Sequence, residues 1–290
     1  TSRARAASES TKPWRRTANA DVNGVSLHVA EQGPADGPAV LLLHGFPELW
    51  LSWRHQMAAL AARGFRALAP DLRGFGDSDA PADPAAYTVL HVVGDIVALL
   101  DHLRLTKVVV VGHDLGAQAA WHLCLFRPDR VLAIIALGVP YFPRSPRPVT
   151  EMFAARGDGF YITQYQEPGR AERAFNRHDA GTVLKKFYSI ELDDLTAPPG
   201  VEMIDFLEAS SSPLPWMTGE ELGIGCLPRH GMARRSRCLQ SLSGVRRTLV
   251  SSPLESNTTS RAELSSSVFQ ILRSPSLKVT ITSSKSRPRR

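Results

Sequence analysis

At 290 residues the chain is long enough for one large α/β domain, or for a core carrying an insertion. No apolar run nears the ~20 residues that cross a bilayer, and three cysteines without metal-ligand spacing (Cys124, Cys226, Cys238) argue against a disulfide or zinc scaffold and fit a reducing compartment. The net charge of +6 conceals a split: residues 223–290 hold 13 Lys and Arg against two Glu, a net of +11, which leaves −5 for residues 1–222.

Residues 1–19 carry five basic residues and one acid, and they read as a disordered basic leader without a secretory apolar segment. A cytoplasmic protein is expected, with organellar targeting by that leader as the alternative. Val25, Leu27 and Val29 alternate with other residues at the period of a half-buried strand, and the Gly- and Pro-rich residues 33–38 supply a turn. Ala39 to Leu43 is a continuous apolar run, as in a strand buried on both faces. Ser52 to Arg63 reads as a helix, Phe65 to Ala69 as a strand and Asp71 to Pro84 as a long loop. Val93, Ile96, Val97 and Leu100 recur at helical spacing within Val89 to Leu103. Lys107 to Val111 is a β-branched strand, Leu115 to Phe126 a helix and Val131 to Leu137 another buried strand. Alternation of this kind predicts a doubly wound, mostly parallel sheet. The boundaries that follow are a core over 20–143, a partial helical cap over 144–222, and a basic Ser- and Arg-rich tail over 223–290.

The chemistry concentrates at Gly112-His113-Asp114-Leu115-Gly116, a strand that breaks at glycine and resumes as a helix, which exposes Asp114 at a nucleophile elbow. Serine is the usual occupant in esterases. An aspartate is instead suited to attack a saturated carbon bearing a leaving group, giving an alkyl ester. His44-Gly45-Phe46-Pro47-Glu48 follows the early buried strand, and the amides of Phe46 and Leu115 would together form an oxyanion hole for hydrolysis of that ester.

These two motifs, with Trp50, Ser52-Trp53-Arg54-His55-Gln56, Pro70-Asp71-Leu72-Arg73-Gly74-Phe75-Gly76-Asp77-Ser78 and Phe160-Tyr161-Ile162-Thr163-Gln164-Tyr165-Gln166-Glu167-Pro168-Gly169, resemble the plant-type soluble epoxide hydrolases over about residues 20–222. The resemblance implies an α/β-hydrolase core with a helical cap, no cofactor, no metal, and hydration of a small-molecule epoxide to a vicinal diol. It makes Asp114 the nucleophile and Tyr161 the cap tyrosine that hydrogen-bonds and protonates the epoxide oxygen. Tyr165, one helical turn on, is equal to Tyr161 on spacing alone; the family motif favours Tyr161. Phe46, Trp50, Leu115 and Tyr165 are expected to line the substrate pocket, and His113 and His44 to brace their loops. Neither a nucleic acid nor a membrane is an expected partner.

The same resemblance requires, after the cap, a second tyrosine, two further core strands, an acid and a water-activating histidine. Residues 223–290 contain no Asp and no Tyr, and their one histidine, His230, stands in no matching motif, so no catalytic His or charge-relay acid is found and the last core strands are expected to be lacking. The tail's composition is that of an out-of-frame reading of a G+C-rich message, or of a solvated basic segment. Two rival readings share the elbow. A haloalkane or haloacetate dehalogenase also uses an aspartate, but needs halide-binding Trp or Arg beside it, where this chain has Leu115. A catalytically incomplete relative with a binding role, or none, is the other.

Overall fold

The computed structural model of the chain describes residues 16–143, 146–189, 195–209, 214 and 216–226. Its centre is a six-stranded sheet of β1 (Arg16–Val22), β2 (Val25–Gln32), β3 (Ala39–Leu43), β4 (Arg66–Pro70), β5 (Val108–His113) and β6 (Val131–Leu137). The spatial order is β1-β2-β4-β3-β5-β6. β1 pairs antiparallel with β2 and β2 with β4, whereas β3, β4, β5 and β6 run parallel. This is the doubly wound, mostly parallel α/β sheet that the alternation predicts.

The central strands follow directly from composition. β3 (AVLLL) is buried at all five positions, and Val108 to Val111 of β5 are buried without exception, because helices cover both faces of a parallel sheet. Helices α1 (Arg54–Ala61), α2 (Val89–His102) and α3 (Leu115–Phe126) do the covering. α2 turns Val89, Val92, Val93, Ile96, Leu99 and Leu100 inward, and the Thr88 side chain caps it by accepting from the His91 amide. β6 is less enclosed: Val131, Ile135 and Leu137 are buried, while Leu132, Ile134 and Ala136 are half-buried.

Among the described residues, six short helices follow the core: α4 (Val149–Ala154), α5 (Tyr161–Gln166), α6 (Arg170–Phe175), α7 (Ala180–Tyr188), α8 (Met203–Phe206) and α9 (Gly219–Cys226). They form the helical layer expected of a cap. α5 is fastened through Gln164, which is fully buried; its Nε2 donates to Val201 O and its Oε1 accepts from the Met203 amide, each at 2.8 Å. α9 is tied back to the core by Arg54, whose Nε donates to Glu221 Oε1 at 2.5 Å and whose Nη2 donates to Trp216 O at 2.7 Å.

Three boundaries differ from the sequence reading. Residues 16–19 are not leader but the first half of β1, aligned against Glu31 to His28 of β2. The helix expected from Ser52 is a 3₁₀ turn over Trp50–Trp53 followed by α1. Helix α9 runs to Cys226, past the boundary set at Leu222. The remaining leader (1–15), His230, the candidate strands Val268–Leu272 and Leu277–Ile281, and any question of further core strands lie outside the described residues.

Candidate active site

β5 ends at His113, and the chain turns at Asp114 into α3 with φ 51° and ψ −115°, a conformation that is costly for a residue with a side chain. Its amide is held by Leu137 O of the neighbouring strand at 3.1 Å. Close approach explains the small residues around it. A Cβ on Gly116 would sit 2.1 Å from Leu43 O, and one on Gly45 would sit 2.6 Å from Asp114 Cβ. The β3 loop can therefore reach the aspartate only because both positions are glycine.

That loop brings the Phe46 amide to Asp114 Oδ1 at 3.0 Å. Oδ2 accepts no hydrogen bond among the described residues. Leu115, buried, opens α3, where the first-turn N–H groups have no intrahelical acceptor. The two amides expected of an oxyanion hole thus stand on the two segments that flank the carboxylate.

His113 and Glu48 form an ion pair beside the elbow. His113 Nδ1 lies 2.9 Å from Glu48 Oε2, and the same oxygen accepts from the Gly45 amide at 3.0 Å. Burial would lower the His113 ring, but the adjacent Glu48 carboxylate and then Asp114 outweigh it and push the imidazole up to about 9. Glu48 is held below the usual carboxylate range: burial opposes this, and the His113 charge and hydrogen bond overcome it. Sequence reasoning treated His113 as a loop brace and passed over Glu48, although the glutamate closes the quoted His44–Glu48 motif. His44 does brace its loop. Leu72 N–H donates to Nε2 at 3.0 Å, so Nδ1 carries the proton and donates to Gly45 O at 2.8 Å.

An aromatic group gathers around Phe46, the residue whose amide holds the carboxylate. Phe46 meets Tyr165, Phe175 and Phe187 at ring separations of 6.1, 6.5 and 5.5 Å, and Tyr161 meets Tyr165 at 5.9 Å. Tyr161 opens α5, with its amide donating to Leu195 O at 3.1 Å. Its phenol is pushed well above the usual tyrosine range by burial and then by the Asp114 charge, with Arg156 opposing. Tyr161 thus senses Asp114, whereas Tyr165 is raised by burial and then by Tyr161 and Glu202.

Trp50 is buried in the core; its amide donates to Asp71 Oδ1 at 2.9 Å, and its ring is 6.2 Å from His28. Sequence reasoning missed Phe175 and Phe187, whose apolar helical positions do not differ from those of ordinary core residues. Among the described residues no group of three or more His, Cys, Asp or Glu could hold a metal ion, and no helix is long and apolar enough to cross a membrane.

The family model of the alpha/beta hydrolase fold matches residues 38–197. Epoxide hydrolase 2 of Siraitia grosvenorii is 51% identical over 203 residues, covering 69% of this chain and 63% of that protein. Epoxide hydrolase A of Mycobacterium tuberculosis is 41% identical over 222 residues, covering 73% of this chain and 69% of that protein. Among solved structures, an epoxide hydrolase from Vigna radiata superposes with a TM-score of 0.72 at 42% identity, covering 79% of this chain and 72% of that one. The chain therefore spans less than two thirds of the Siraitia relative's length.

Proposed function

From the chain's membership of the α/β-hydrolase fold family, and within it of the epoxide hydrolases, we propose that it opens epoxides by forming an alkyl ester on Asp114. Asp114 Oδ2 attacks an oxirane carbon, the carbon–oxygen bond breaks towards the oxygen, and that oxygen takes the proton of the Tyr161 hydroxyl. Oδ1 stays against the Phe46 amide and, with the Leu115 amide, receives the negative charge when water later attacks the ester carbonyl. The observation that supports this reading is the elbow itself: a strained aspartate with one oxygen held by the Phe46 amide and with a charge that acts on the Tyr161 phenol.

Release of the diol is the weaker half. It needs a base that takes a proton from water, and His113, the histidine that precedes Asp114 in the chain, is unsuited to the task. Paired with Glu48 and raised to about 9, His113 is an imidazolium at neutral pH. Residues 223–290 offer His230 but no aspartate. We therefore expect the 290-residue chain to open one epoxide and then hold it as the ester.

Intact-mass measurement after addition of styrene oxide tests this. One adduct per chain is expected, located on Asp114 by peptide mapping and absent in Asp114→Asn. Mapping is necessary because thiols also open epoxides; Cys124 is a poor competitor, its thiol pushed up to about 12 by burial. Tyr161→Phe is expected to slow labelling by about 10²–10⁴-fold, the usual contribution of a placed general acid. Sustained diol production would contradict the single-turnover expectation, and a folded protein without an Asp114 adduct would contradict the epoxide reading altogether.

A further inference from the structure

Two tyrosines of this fold are completely enclosed, and they use their hydroxyls differently. Tyr87, 0% exposed, donates to Pro81 O at 2.7 Å, as a buried phenol should. Tyr165, 1% exposed, has a buried hydroxyl with no hydrogen-bond partner among the described residues. A phenylalanine would fill the same space without stranding a polar atom, so this hydroxyl weakens the free fold instead of supporting it.

It cannot relieve itself by a small shift. The ring is hemmed by Phe175 at 5.4 Å, Tyr161 at 5.9 Å and Phe46 at 6.1 Å. Its helix is fixed at two points just before it, by Gln164 to Val201 and Met203 and by the Tyr161 amide to Leu195. Glu202, the one carboxylate that influences it, is bound by Arg170 Nε at 3.0 and 3.2 Å. Burial keeps the phenol protonated across the working pH range, so it can serve as a donor.

Its position gives the donor a purpose. Phe46 is common to both halves of the site: its amide holds the nucleophile's Oδ1, and its ring meets Tyr165. The Tyr165 ring thus stands in the same aromatic wall as Tyr161, with Phe46 linking it to the reacting carboxylate.

We propose that the Tyr165 hydroxyl is a specificity-determining donor, which recognises an ether, hydroxyl or carbonyl oxygen on the substituent of the epoxide and favours such substrates over hydrocarbon epoxides. This rests on the epoxide reading above. A rigid donor left unpaired in the free protein is satisfied only by a substrate that brings an acceptor, and that is how a site discriminates by hydrogen bonding.

The test uses the full chain, wild type and Tyr165→Phe, with two epoxides of equal length, ethyl glycidyl ether and 1,2-epoxyhexane. Dividing the ether-to-alkane ratio of labelling rates in the wild type by that in the variant cancels their intrinsic reactivity. The quotient is expected to be about three- to tenfold, as for one neutral hydrogen bond. A quotient of one overturns the proposal. Urea unfolding supplies an arm independent of activity: the Tyr165→Phe midpoint is expected at or above that of the wild type. A lower midpoint means that the hydroxyl is already satisfied within the fold, which also overturns the proposal. If the wild type is labelled by neither epoxide, the epoxide reading fails by itself. Saturation-transfer NMR with 3-ethoxypropane-1,2-diol and hexane-1,2-diol then decides the inference. A wild-type preference for the ether diol that disappears in Tyr165→Phe supports it, and no preference overturns it.

Discussion

Steric constraint precedes chemistry at Asp114. The Phe46 amide reaches Oδ1 because Gly45 has no side chain, and a Cβ there would stand 2.6 Å from that of Asp114. Gly45→Ala must therefore push the β3 loop away from the carboxylate or rotate the carboxylate off its axis of attack. Displacement of a reacting group by about 1 Å costs on the order of 10²-fold in rate. A comparable loss in the rate of Asp114 labelling is expected, with the far-ultraviolet spectrum unchanged; an unaltered rate would mean that the elbow relaxes without cost. These residues were legible because the glycines, the aspartate and Phe46 fall in two contiguous motifs. The Glu48–His113 pair was not, since it joins residues 65 apart in the chain through a contact that only the packed sheet creates. A histidine beside a nucleophile looks the same in sequence whether it braces a loop or carries a charge.

Secondary structure was most legible where burial is uniform and least where tertiary contacts override pattern. β3, β6 and α3 begin and end where the apolar runs do. β1 (RTANADV) escaped notice because basic and polar residues dilute its alternation; its ladder to β2 is what makes it a strand. The cap was legible as helical, but not in how it is held. Gln164 is the clearest case, a polar residue 0% exposed whose amide joins α5 to the segment entering α8. Gln164→Leu keeps the bulk and strands the Val201 carbonyl and the Met203 amide. Each buried group so abandoned costs about 1–3 kcal/mol. The variant is expected to lose stability by roughly that amount or more in urea titration, and to label more slowly because Tyr161 stands at the start of the same helix. Loss of stability with an unchanged labelling rate would show that the cap's grip does not position the tyrosine.

Across the whole molecule, the pH dependence of stability is bounded by carboxylates that pack against imidazoles within the core. On the acid side, burial would raise the carboxyl of Asp71, but the His28 ring at 2.9 Å and the Trp50 amide hold it low; Glu48 is likewise lowered against its burial by His113. A lowered carboxyl contributes stability above its unfolded value, and that contribution is lost as the pH falls through the folded one. On the alkaline side the sign reverses. His113 rises from an ordinary 6.5 to about 9, so its contribution is complete below 6.5 and disappears as the pH climbs towards 9. The unfolding free energy should therefore be greatest between about pH 4.5 and 6.5, with a decline from 6.5 to 9 that belongs to the Glu48–His113 pair. Urea titrations across this range on the wild type and Glu48→Gln separate that pair from all other groups. His122, lowered by burial and opposite in sign, is common to both proteins and cancels in the difference. The difference between the two curves is expected to shrink steadily from pH 6.5 to 9, because only the wild type has a charged partnership to lose. Parallel curves over that interval would mean that His113 does not hold its proton against the elbow, and with it would fall the argument that this imidazole cannot serve as the base at neutral pH.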